Sequence, residues 1–179
     1  MTDPGQSIQM NLNNMNFPRQ LEADGSAEKI REALAVRQTR LGAEGQMEVP
    51  VLGVSKTLVE AIKRARMQRR VRFGFDDIFD KLAAEKKGID ELLQKTKSPQ
   101  QDRISRLLLF SNDGVERLYR HIEQTLTEHH FRILGCQLDI DSKSLGQLIT
   151  GRSSAIKVIL VEHKDAVSDV LRALVESDQ

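Results

Sequence analysis

The sequence predicts an α/β fold, a three-layer α/β/α sandwich, and three observations carry that prediction. Short apolar runs and amphipathic stretches alternate between Ile104 and Val175 in the order β, α, β, α, β, α. The apolar runs, at Ile104 to Phe110, Phe131 to Ile140 and Ala155 to Val161, carry few polar residues, as strands covered on both faces do. Between Leu138 and Val161 a strand end, a short capped helix, a tight basic loop and a second strand follow one another with little intervening chain. Crossovers of this kind place helices on both faces of one sheet.

The first residues are rich in Asn and Gln with scattered apolar side chains, too few to offset chain entropy. Residues 1–48 are therefore read as a flexible tail with a weak helix, capped by Ser26 and carrying Ile30, Leu34 and Leu41. Met15, Phe17 and Leu21 are the exception, an anchor onto this domain or onto a partner. The domain is placed at 49–179. Ser55 caps a helix with Leu58, Ile62 and Ala65 on one face, and its other face is basic. Lys63, Arg64, Arg66, Arg69, Arg70 and Arg72 come with no acidic residue among them. Such a run is either a solvated helix face or a phosphate-contacting patch that gains from counterion release.

Arg70 to Phe73 reads as a short edge strand, Gly74 as a turn, and Asp76 as the start of a helix with Ile78, Phe79 and Leu82. Residues 83–101 read as a polar insertion with one helical turn around Ile89, Leu92 and Leu93, and a loop at Ser98 and Pro99. After the strand ending at Phe110 and a turn over Ser111 to Gly114, Val115, Leu118, Tyr119, Ile122 and Leu126 trace a helical stripe. Ser142 caps the next helix, Leu145, Leu148 and Ile149 form its buried side, and Gly151 supplies a left-handed exit. The final helix carries Ala166, Val167, Val170, Leu171, Leu174 and Val175. A single long helix over Ser153 to Val175 is the rival reading; strand then helix is preferred because residues 156–161 are rich in β-branched side chains.

Composition excludes more than it assigns. The 179 residues carry a net charge of +1, so the chain is no global polycation and its charge is segregated. One cysteine, Cys136, excludes an internal disulfide. With no run of 18 apolar residues and no leader-like start, a soluble intracellular protein of nucleus, nucleolus or cytoplasm is expected, without a membrane partner. Asp113, Asp139 and Asp141 close successive strands, where they could gather around Mg²⁺, but aspartates are also ordinary turn and cap residues. His121, His129, His130 and His163 lack zinc-site spacing, and there is no glycine-rich phosphate loop. No cofactor, metal site, catalytic residue or small-molecule substrate is expected.

The run SKSLGQLITG, followed by a loop and the strand AIKVILV, resembles the SKxELGxAxG helix and following strand of the kink-turn-binding ribosomal protein superfamily of the archaeal L-seven-Ae and L-thirty-e type. LLLFSND, a helix and FRILGCQLDID are similar to that family's preceding strand, helix and strand. GFDDIFDKL stands where the family opens a helix with Gly-x-Asn-Glu. The likeness spans residues 55 to 175, and the arrangement is most similar to the L-seven-Ae-like subunit of eukaryotic ribonuclease P and ribonuclease MRP. It implies an L-seven-Ae-like sandwich and a non-catalytic RNA-binding or ribonucleoprotein-assembly protein, with structured RNA or protein subunits as partners. The implied RNA-facing residues are Gly74, Asp76 and Asp77 at the helix opening and Thr150, Gly151, Arg152 and Ser153 in the loop. The pattern departs where the family's Asn and Glu are Asp76 and Asp77, since carboxylates cannot donate hydrogen bonds, and where a family Lys is Asp80. A protein-interaction module on the same fold, without RNA binding, is the second expectation.

Overall fold

The computed structural model describes residues 8–9, 12–97 and 102–176. The expected loop at Ser98 and Pro99 lies outside them, as do most of the first eleven residues. The strands are β1 (Ile8–Gln9), β2 (Gln38–Arg40), β3 (Met47–Leu52), β4 (Val71–Phe73), β5 (Arg106–Phe110), β6 (Ile133–Leu138) and β7 (Val158–Val161). The helices are α1 (Arg19–Ala23), α2 (Ser26–Ala35), α3 (Lys56–Met67), α4 (Phe75–Thr96), α5 (Glu116–Glu128), α6 (Ser142–Thr150) and α7 (Lys164–Ala173).

They build one mixed sheet of order β1-β3-β6-β5-β7-β4, with β2 also on β3. β3, β6 and β5 are parallel, whereas β7 runs antiparallel to both β5 and β4. The side chains of β5 alternate between two cores, Leu107 and Leu109 to one and Leu108 and Phe110 to the other, as the period of a strand requires. α1, α2, α3, α6 and α7 cover the first face, α4 and α5 the second. The expected three-layer sandwich is what forms, and strand followed by helix, not one long helix, occupies 158–173.

The sequence reading is corrected at four places. Residues 12–48 do not hang free of the domain. Phe17, Leu21, Ile30 and Leu34 are fully buried in the first core, and the Ile104 amide donates to the Asn16 carbonyl at 2.8 Å. The anchor foreseen at Met15, Phe17 and Leu21 is thus an anchor onto this domain. Met47 to Leu52 is a strand that the sequence reading does not include; Pro50 is tolerated because the bond to β2 that flanks it runs from the Val51 amide to the Arg37 carbonyl, a ladder position that does not use the proline nitrogen. Residues 83–96 are not an insertion with one turn but the continuation of α4, which runs unbroken through Gly88. Finally, α6 is capped by Asp141, whose carboxylate accepts from the Ser144 amide, while Ser142 is buried and Leu148 faces out.

Candidate nucleic-acid interface

Register divides the sheet into two edges. β5 and β6 end, and β7 begins, at one edge, where Phe110 pairs with Val158; at the other, Leu107 pairs with Val161. We call these the carboxyl and amino edges. β4 starts at the amino edge, with Val71 opposite Val161, and finishes towards the carboxyl edge, with Phe73 opposite Ile159. Gly74 and the start of α4 therefore share the carboxyl edge with the loop entering β7. Arg69 and Arg70 sit at the amino edge, where the Glu162 amide donates to the Arg70 carbonyl.

The predicted residues are thus not brought to one surface. At the carboxyl edge, Gly74 has φ 98° and opens α4 with no side-chain cap, and Asp76 and Asp77 are exposed in its first turn. The loop is built on α6. The Thr150 hydroxyl donates to the Gly146 carbonyl and accepts from the Arg152 amide, and Gly151 takes the left-handed exit at φ 71°. Gly151, Arg152 and Ser153 are exposed, and the chain returns along α6 until the Ile156 amide reaches the Ser142 carbonyl. This edge is acidic. Asp113 accepts from the Ser142 amide and hydroxyl, Asp139 pairs with Arg37 at 2.9 Å, and Asp141 caps α6. Each carboxylate foreseen around Mg²⁺ therefore has a structural partner, and among the described residues no group of three metal-binding side chains converges.

The basic run divides further. Arg64 forks onto Asp169 of α7 through Nε and Nη2, both at 3.2 Å. Arg72 is held between Glu162 at 2.7 Å and Asp77 at 2.8 Å, and those two carboxylates push its pKa above the usual arginine value. Tertiary structure supplies the acidic partners that the local sequence lacks. Lys63, Arg66 and Arg69 are exposed, Arg70 is half-buried, and none of the four has an ion pair among the described residues. Lys63 and Arg66, three residues apart, share one face of α3, and Arg69 and Arg70 follow directly after its end.

The end of α3 is itself unusual. The Arg70 amide donates to the Ala65 carbonyl and the Arg69 amide to Arg66, the pair of bonds that closes a helix through one left-handed residue. Glycine normally fills that place; here it is Arg69, at φ 59°. Holding a non-glycine residue there costs about 1–2 kcal/mol. The Arg66 guanidinium lies 6.0 Å from the Phe73 ring centroid, the outer limit of a cation–π contact.

The sequence reading missed a second set of cations at the amino edge. Arg132, at the start of β6, and Arg106, at the start of β5, both donate to Glu85 of α4, at 2.9 and 3.2 Å. Burial alone would raise the pKa of Glu85, but these two hydrogen-bonded guanidiniums outweigh it and hold the carboxyl below its ordinary range. No sequence signal could reveal this cluster, because Glu85 lies in the stretch read as an insertion and its partners are 21 and 47 residues away. No helix among the described residues is long and apolar enough to cross a membrane.

No family model matches the chain, and no curated protein matches its sequence. Among solved structures, a protein of unknown function from Bacillus halodurans C superposes with a TM-score of 0.46 and 14% identity, covering 69% of this chain and 100% of its own. The Giardia lamblia 15.5kD RNA binding protein superposes with a TM-score of 0.45 and 12% identity, covering 66% of this chain and 82% of its own.

Proposed function

We propose that this chain is a non-catalytic RNA-binding or ribonucleoprotein-assembly protein whose phosphate contacts come from the amino-edge end of α3. One observation carries the reading: Lys63, Arg66, Arg69 and Arg70 lie at or just past the end of one helix with no ion pair among the described residues. Cations already neutralised by carboxylates gain little from a polyanion, so Arg64 and Arg72 drop out of the expected contact set. Cations also suit a helix C-terminus, where the backbone dipole is negative, which makes this a stable place to concentrate them. A strained arginine at the left-handed position, where glycine would be easier, fits a contact role for its side chain. In this reading the Thr150–Ser153 loop is not part of the phosphate surface.

A second reading is favoured by the carboxyl edge. Gly74 and the chain entering β7 share that edge, beside the exposed carboxylate of Asp76, which repels phosphate, while Asp77 is already paired with Arg72. Such a surface suits a protein partner.

The test is the salt dependence of binding to structured RNA, comparing the wild type with the combined variant Lys63→Ala, Arg66→Ala, Arg69→Gly and Arg70→Ala. Arg69→Gly keeps the left-handed turn. At ~0.7–0.9 in the log–log slope per phosphate contact, the variant should lose roughly three units of slope. Arg152→Ala, at the other edge, should leave the slope unchanged. An unchanged slope in the combined variant sinks the assignment, and binding of no RNA at low salt favours the protein-interaction reading.

A further inference from the structure

α4 is longer than the strands it covers, and its last turns extend past the amino edge of the sheet. Under that overhang lies a cavity of about 780 Å³, within the size range of small-molecule sites. Ile89 and Leu93 of α4, with Ile104 at the approach to β5, supply apolar wall. Arg19 of α1, Arg103, Arg132 and Lys164 of α7 supply four basic residues. One acidic residue, Asp165, also lines it; its carboxylate is exposed and reaches the Gln20 amide nitrogen at 3.5 Å, and the four basic residues outnumber it.

The charge of this wall is not cancelled from behind. Glu85 serves Arg106 and Arg132 together, so one carboxylate faces two guanidiniums. Nη1 of Arg132 is buried and has no hydrogen-bond partner among the described residues, as is true of Nε of Arg106. A buried guanidinium left partly unsatisfied is costly, and a side-chain shift that turns Arg132 towards the cavity would let an anion relieve it. The apolar wall sets the other half of the specificity, because a bare inorganic ion would leave Ile89 and Leu93 facing water.

We propose that the amino-edge cavity between α4, α1 and α7 binds a small organic anion, one carboxylate or phosphate head on an apolar body. The head sits at Arg132 with Arg103 and Lys164, and the body lies along Ile89 and Leu93. The site is independent of the RNA reading, since none of its residues belongs to the end of α3.

Calorimetric titration with decanoate, decyl phosphate, decanol and inorganic phosphate tests this directly. Decanoate or decyl phosphate should bind saturably, the tighter of the two identifying the head, while decanol and inorganic phosphate should each bind at least roughly tenfold more weakly, the scale of one charge-assisted hydrogen bond. Arg132→Met should weaken the anion roughly tenfold and leave decanol unchanged. Because Arg132 also supports Glu85, Leu93→Trp provides a second variant that fills the apolar wall and should abolish binding in a folded protein. Equal affinity for decanoate, decyl phosphate and decanol, or unchanged binding in Leu93→Trp, overturns the proposal.

Discussion

His129 shows how a single residue ties the fold to solution conditions. It caps the end of α5 and is buried, with a relative exposure of 6%. Burial first, and the neighbouring positive charge of Arg132 second, lower its pKa from the ordinary 6.5; Lys86 acts in the same sense, while Glu128 and Glu85 oppose them. The folded state therefore resists taking up a proton that the unfolded chain accepts readily. Stability from this residue is fully present above about pH 6.5 and is lost as the pH falls through that value towards the lowered folded pKa. Urea unfolding midpoints measured from about pH 7.5 down to about pH 5.5 should drop less in His129→Gln than in the wild type. Parallel profiles would show that His129 does not titrate in this way. Cys136 is a contrasting case: it is fully buried in β6, and burial pushes its thiol pKa far up, so it packs as a small apolar side chain.

At the scale of elements, α6 illustrates a packing constraint hidden inside a helix-forming sequence. Its exit at Gly151 is legible from the sequence, whereas its cap is read one residue late, at Ser142 instead of Asp141, because both residue types suit that place. The role of Gly146 is not legible. A Cβ there would fall on the Ser154 carbonyl oxygen, far inside van der Waals contact, because the returning loop lies directly on the helix. Replacing a helical glycine by alanine normally stabilises by ~0.5–1 kcal/mol, whereas overpacking against backbone costs ~1–3 kcal/mol. The clash should win, so Gly146→Ala is expected to lower stability by about 1–2 kcal/mol and to disturb the loop at Thr150 to Ser153. Denaturant unfolding reads the first effect, and amide chemical shifts of residues 150–156 read the second. A more stable variant would mean that the loop does not rest on the helix as described. For α4, the polar surface of residues 83–96 hid its continuity: exposed Ala83, Ala84, Lys87, Glu91 and Gln94 are good helix formers, yet few of their neighbours are apolar. A helix that overhangs the sheet has little core to bury, so its hydrophobic pattern fades although the helix goes on.

For the molecule as a whole, the largest departure from the sequence reading is the N-terminal segment. Phe17 is completely buried; the Arg31 guanidinium stacks 4.9 Å from its ring and also holds the carbonyls of Leu12 and Met15. Arg103 donates to the Phe17 carbonyl from the approach to β5. Phe17→Ala should therefore cost about 3–5 kcal/mol in global unfolding, where a flexible tail would give nothing measurable. The three-layer class, the order of strands and helices from Ile104 onward, and the existence of a basic run are all legible in the sequence, because each follows from short-range periodicity and composition. Long-range packing alone sets that residues 12–48 belong to the core, that β7 runs antiparallel to β5, which cations of the run find carboxylate partners, and that Gly74 and Arg70 lie at opposite edges. Those outcomes rest on contacts between residues far apart in the chain, such as Arg72 with Glu162 and Arg31 with Met15, and no local pattern encodes which distant partner a side chain will meet.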